Sequence, residues 1–291
     1  MDRHTLDPTH PLFASFIVPL SIALASTALI RSLSGVRVGQ RLASAGIGVG
    51  LLTAYLLAFG MPNWPARSGV DKLPFLVAIL FAGGILADIW RQPRWLMIAA
   101  TAAAIAAIIL WLAWPQLDGA GLTKYGLLGL TGLLAMAGLA GLIAVPEETA
   151  TKPAMLIAAC LAIAGASFQA GSLFLMQNAL ALAAAIGGFA LLNWPTPRVP
   201  LGLSGLAVGG LGGFALALLL LLLTRIPPAA LLPLPLVFTA GLVGRRLPVP
   251  RRFARVAFEP VFVFAIALIP AVAVILLAQP AAAPVDDLYY R

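Results

Sequence analysis

Histidine and cysteine are almost missing from this chain of 291 residues, which has two of the first and one of the second. Charge is scarce as well. Only 10% of residues are charged, against about a quarter in an ordinary soluble domain. Each shortage excludes something. His4 and His10 both precede the first apolar run, so no histidine is placed inside a membrane segment to ligate haem or act as a base. That excludes a haem-ligating cytochrome subunit and an acyltransferase with an embedded histidine. The lone cysteine, Cys160, lies within an apolar run, which excludes a disulfide scaffold. No CxxC, HExxH or P-loop pattern is present. No base, metal set or nucleophile constellation is visible, so we expect neither an enzyme nor a bound metal or cofactor.

What is present is apolar. Hydrophobic residues make up 62% of the chain, and the mean hydropathy is +1.03. That much apolar surface cannot be hidden in a soluble domain of this size, and intrinsic disorder is excluded on the same ground. The sequence reads as an all-α, polytopic integral membrane helix bundle.

A bilayer core is spanned by about 20 apolar residues. Ten such segments are legible: 11–30, 42–60, 73–89, 95–114, 125–145, 154–168, 172–194, 201–224, 229–244 and 257–278. The sixth is short, and only the turn Gln169-Ala170-Gly171-Ser172 divides it from the seventh. Without that turn the count would be nine.

The basic residues set the orientation. There are 15 Arg and 3 Lys. Twelve fall in the loops after segments 1, 3, 5, 7 and 9, and six on the other side. The richer side is cytoplasmic by the positive-inside rule, so both termini are expected outward. The net charge of +8 therefore reflects membrane orientation, and no nucleic-acid partner is expected. The Ala/Leu/Gly-rich, Arg-rich usage suits a bacterial inner membrane. The first run lacks a positive n-region and is followed by Arg31, so it is read as an uncleaved first helix. Trp64, Trp90, Trp95, Trp111, Trp114 and Trp194 fall at segment ends, where aromatic rings anchor at the interface.

Two Asn-Trp-Pro tripeptides, Asn63-Trp64-Pro65 and Asn193-Trp194-Pro195, end segments 2 and 7. They suggest a 5+5 inverted repeat, with a first membrane half over residues 1–150 and a second over 151–279. An exposed tail, 280–291, would follow. Inverted repeats place transport sites near their interface. In number of helices this plan resembles drug/metabolite-type transporters, though the outward termini expected here reverse that plan.

Ionisable residues within membrane segments are costly and often functional. Asp88 and Glu259 are the candidates for a coupling or gating role. Both map to cytoplasmic helix ends, where simpler duties are open to them. Asp88 can pair with an arginine at a wetted interface. Glu259, read in the first turn of segment 10 just before Pro260, suits the helix dipole. Candidate substrate contacts are the mid-helix polar groups Thr53, Tyr55, Gln177 and Asn178. At least one of the adjacent Gln177-Asn178 pair must face protein or a cavity, because lipid cannot satisfy an amide. Pro19, Pro233, Pro235 and Pro270 mark helix bends. Glycines four apart, at Gly46/Gly50, Gly205/Gly209 and Gly209/Gly213, allow close helix packing within the chain or against another subunit.

Two functions remain. The first is a transporter moving a small neutral or amphiphilic solute, or a lipid, by alternating access. The second is a non-catalytic subunit of a larger respiratory or photosynthetic membrane complex. The transporter predicts a polar cavity inside the bundle. The subunit predicts glycine-rich faces turned outward onto partners. Membrane lipids are partners in either case.

Overall fold

The computed structural model describes residues 13–35, 39–66, 68–90, 93–117, 121–145, 150–195, 198–244 and 252–279. The expected outer tail, 280–291, lies outside the described residues, as do residues 1–12. Every regular element described is helical. This follows from the composition, since backbone polar groups in hydrocarbon must be satisfied within the segment that carries them.

Nine of the described helices are long and apolar enough to cross a membrane. They are α1 (Ser15–Leu33), α2 (Gln40–Phe59), α3 (Gly69–Ile89), α4 (Trp95–Gln116) and α5 (Leu122–Ala144). The second set is α6 (Thr151–Gln169), α7 (Leu173–Leu192), α8 (Leu203–Leu223) and α10, whose apolar span Phe258–Leu277 continues a helix begun at Arg252. Between α8 and α10 lies a shorter apolar segment, α9 (Pro228–Gly244).

This ninth segment departs from the expectation of a full helix over 229–244. It is a 3-10 turn at Pro228–Leu231, one helical turn at Leu234–Val237 and another at Ala240–Gly244. Pro233 and Pro235 remove the backbone donors that a continuous helix would need. α9 nevertheless carries the chain back toward the end where α10 begins. Leu231 lines a cavity together with Ile163 and Leu218. Gly241, at the other end, meets Val145 and Met155 at the starts of the α5–α6 connection and of α6. The chain therefore changes ends between α8 and α10.

The expected division of segments six and seven is present. Gly171 takes φ +72°, a left-handed conformation that glycine adopts without penalty, and the turn it makes separates α6 from α7. Glu259 sits differently from expectation. α10 starts at Arg252, so Glu259 and Pro260 lie about two turns inside the helix rather than in its first turn. The stretch Arg252–Ala257 holds no helix breaker, and the helix simply extends into the interface.

The centre of the bundle is α6, with 78% of its apolar window buried, followed by α8 at 67% and α7 at 61%; α1, at 17%, is the most peripheral. α1 packs on α2 and α7, α6 packs on α7 and α10, and α3 packs along α8. α4 and α5 form a looser pair at one edge. The seams of the two halves are unequal. α1 lies against α7, whereas α6 has no comparable seam with α2.

The spaced glycines point inward. A Cβ on Gly46 would lie 2.8 Å from the Thr27 nitrogen, and one on Gly50 2.7 Å from the Pro19 carbonyl oxygen, so both serve the α1–α2 seam. Gly205 and Gly209 face Ser44 and Leu156. Close packing within the chain accounts for these positions. Gly126 and Gly129 on α5 differ, because both are exposed and face open space.

Candidate functional site

One end of the bundle gathers the starts of α2, α4, α6, α8 and α10, and it is the end with the denser arginines. Here it is called the basic end. At this end α8 begins after Gly202, which occupies the N-cap position and has no side chain with which to cap. The first-turn N–H groups of a helix need acceptors from elsewhere. Asp88, at the end of α3, supplies them. Its Oδ1 accepts from the Leu203 N–H at 2.6 Å, and its Oδ2 accepts from the Ser204 N–H at 2.9 Å and the Ser204 hydroxyl at 2.7 Å. Ser44 of α2 completes the cluster. Its Oγ accepts from the Gly202 N–H at 3.1 Å and the Gly205 N–H at 3.3 Å, and lies 2.9 Å from the Ser204 Oγ. A carboxylate at a helix N-terminus is also favoured by the dipole. Three helices are thus tied at one buried point.

The opposite end carries the complementary device. Buried Lys72, near the start of α3, donates from Nζ to the Trp111 carbonyl at 2.7 Å, near the end of α4. Gln116 donates from Nε2 to the Leu222 carbonyl at 3.2 Å, at the end of α8. A cation suits the carbonyl end of a helix. These contacts, with those of Asp88, fix α3 antiparallel to both α4 and α8.

Among the described residues, three cavities stand out between the helices. The largest, about 530 Å³, is a crevice between α3, α4, α5 and the first half of α8. Ile79, Gly83, Leu86 and Trp90 line its α3 wall; Leu96, Ala100 and Thr101 line its α4 wall. It occupies the half of the bundle nearest the basic end and opens sideways, since Ile79, Gly83, Leu86 and Trp90 are exposed. The hydroxyl of Thr101 donates to its own helix, to the Met97 carbonyl at 2.8 Å, which leaves the crevice apolar.

A second cavity of about 70 Å³ sits deeper, between α5, α6, α8 and α9. Leu139 lines both cavities. The π-helical segment Ala207–Leu211 of α8 borders both: Ala207 and Leu211 face the crevice, Gly209 and Gly210 the deeper cavity. Such one-turn π segments recur at functional sites.

The third cavity, about 10 Å³, has room for one water. Tyr55 and Asn178 line it together with Pro74. The structure thus brings two of the four proposed substrate contacts together. Asn178 is buried and donates from Nδ2 to the Phe174 carbonyl at 2.9 Å. Tyr55 stacks with Phe59 and edges onto Phe174. Thr53 and Gln177 are half-buried and line none of the three cavities. Asp88 and Glu259 are not brought together. Asp88 is committed to α8, and Glu259 is half-buried on α10.

The two Asn-Trp-Pro turns share cis Trp-Pro bonds but differ in their asparagines. Asn193 is buried and staples its loop, accepting through Oδ1 from the Arg198 N–H at 2.9 Å and the Val199 N–H at 2.7 Å. Asn63 is exposed. Trp64 lies edge-on to Phe75, and both Trp64 and Trp194 are exposed at helix ends, as interface anchors are.

Sequence reasoning missed Ser44, Ser204, Lys72 and Leu139. The bare Gly202 start of α8 was the available signal for the first two, since a helix without its own cap requires one from a neighbour.

In class, this is a multi-pass helical membrane protein with an apolar lateral crevice. A comparison with known proteins finds no family that the sequence matches and no curated protein similar to it.

Proposed function

We propose that the protein is a transporter that moves an amphiphile or lipid across a bacterial inner membrane, with the basic end cytoplasmic. The observation that carries this reading is the crevice of about 530 Å³, which shares Leu139 and the π segment of α8 with a second cavity. Its volume lies within the ~300–1,000 Å³ of small-molecule sites. The two larger cavities are apolar, which favours an amphiphilic cargo over a polar one. Alternating access would shift Leu139 and the π segment of α8 relative to each other. The 5+5 division belongs to this reading and is supported by the two Asn-Trp-Pro turns at opposite ends. Given the unequal seams, the halves would rock as unlike partners. Tyr55, Asn178, Gln177 and Thr53 are proposed contacts on the farther half of the route, and Gln177→Ala with Asn178→Ala should abolish movement while sparing expression.

The test is purified protein in liposomes, with transbilayer movement of a fluorescent lipid followed over time. Faster movement than in protein-free liposomes supports the reading. Equal rates defeat it.

A second reading, as an accessory subunit of a larger membrane complex, is favoured by one observation. Gly126 and Gly129 face outward on α5 with open space before them. Gentle detergent extraction from the native membrane decides between the two. A lone monomer or dimer favours the transporter, and stoichiometric recovery in a larger assembly favours the subunit.

A further inference from the structure

The crevice has a definite depth. Its α3 wall runs from Ile79 to Trp90, which at ~1.5 Å per residue is about 16 Å. That is roughly half of a ~30 Å hydrocarbon core, the thickness of one leaflet. Its shallow end is the level of Trp90 and Leu203, at the basic end; its deep end reaches Leu139 and Leu211, near mid-membrane. The wall is apolar throughout, and its side opening faces the lipid.

By sequence, the segment ends and loops on the basic side hold 12 Lys and Arg against four acids, Asp88, Glu147, Glu148 and Glu259, so the excess there is positive. α4 begins at Arg94. The backbone of Arg41 lies beside Gly202, whose Cβ would come within 2.7 Å of the Arg41 carbonyl oxygen. Of these acids, Asp88 has its carboxylate occupied by the first turn of α8. Basic residues at a membrane surface attract anionic headgroups at about 1 kcal/mol each.

We infer that the crevice is a binding site for one acyl chain of an anionic phospholipid drawn from the surrounding leaflet, with the headgroup at the Arg41–Arg94 level and the chain end against Leu139. This names the cargo class of the transport reading and rests on it, but binding can be measured without transport. Gly83 offers a clean probe. A Cβ there meets nothing within 4 Å, so a side chain at 83 fills the crevice without displacing the backbone.

The experiment uses the full chain in nanodiscs containing phosphatidylglycerol or phosphatidylcholine, each with a photoreactive group midway along one chain. Cross-links are mapped by mass spectrometry. With phosphatidylglycerol, labelling is expected on Gly83–Trp90 and Leu96–Thr101, several-fold above that with phosphatidylcholine. Gly83→Phe should reduce it several-fold. Thr101→Phe, from the opposite wall, should do the same and guards against misfolding of the first variant. Gly126→Phe, on the lipid-facing side of α5, should leave it unchanged. Equal labelling by the two lipids, or labelling unaffected by both crevice variants, overturns the inference. The transport assay separates the two claims. Selective labelling without transbilayer movement defeats the transporter and leaves the site. Movement that Gly83→Phe and Thr101→Phe leave intact defeats the site and leaves the transporter.

Discussion

Asp88 and Ser204 meet through two hydrogen bonds to one carboxylate oxygen, from the Ser204 amide at 2.9 Å and its hydroxyl at 2.7 Å, across 116 residues of sequence. The pair joins the end of α3 to the start of α8. Replacing Asp88 by Asn turns one acceptor into a donor that faces other donors. Asp88→Asn is expected to cost about 1–3 kcal/mol, the range for a buried group left unsatisfied. Ser204→Ala should cost about 1 kcal/mol. Because the two act on one cluster, the double variant should fall short of their sum. Thermal unfolding in detergent measures all three, and strict additivity would show that the cluster does not act as a unit.

Two adjacent glycines on α3 should behave oppositely. A Cβ on Gly84 would sit 2.5 Å from the Ser204 Cα, which is backbone and cannot yield cheaply, whereas one on Gly83 meets nothing. Gly84→Ala should force α3 away from α8 and cost about 1–3 kcal/mol, while Gly83→Ala should be near neutral. Equal melting temperatures for the two variants would contradict the close α3–α8 approach.

Lys72 is spent on a carbonyl rather than a carboxylate. Lys72→Met keeps most of the volume and removes the donor to Trp111. The carbonyl left behind is expected to cost about 1–2 kcal/mol. Lowered thermal stability with unchanged membrane insertion is the outcome to look for. A stability equal to that of the parent would mean that water replaces the ammonium.

The two Asn-Trp-Pro turns offer a direct contrast. Asn193→Ala deprives the Arg198 and Val199 amides of their acceptor and should destabilise by about 1–2 kcal/mol, since the Val199 amide is buried and the Arg198 amide part-buried. Asn63→Ala, on an exposed residue, should stay within about 0.5 kcal/mol. Comparable losses at both positions would restore the equivalence of the turns.

Much of the architecture was legible because it depends on local chemistry. Apolar runs gave the spanning helices, and the glycine at 171 marked the break between α6 and α7. Proline content pointed to α9 as bent, but not to how little continuous helix it would keep. The buried ties were not legible in the same way. Ser44, Asp88 and Ser204 come from three separate helices; the bare Gly202 start of α8 signals that a cap is needed, but not which residues supply it. Topology alone could have aligned them, since the ends of α3 and the starts of α2 and α8 share one level. The crevice was hidden for a different reason. It is made by the spacing of α3, α4 and α5, and its wall residues read as ordinary lipid-facing Ala, Gly and Leu. The transporter reading predicted a polar cavity inside the bundle; the two larger cavities are apolar instead, and the one lined by Tyr55 and Asn178 has room for only a single water.

The long reach of the α3–α8 tie also bears on how the protein is made. Asp88 precedes its Leu203 partner by 115 residues. At about 5–20 residues per second, α3 is in place roughly 6–23 s before α8 can be synthesised. Throughout that interval the carboxylate has none of its α8 donors. The end of α3 waits at the basic end of the partly built bundle, and the arrival of α8 buries it.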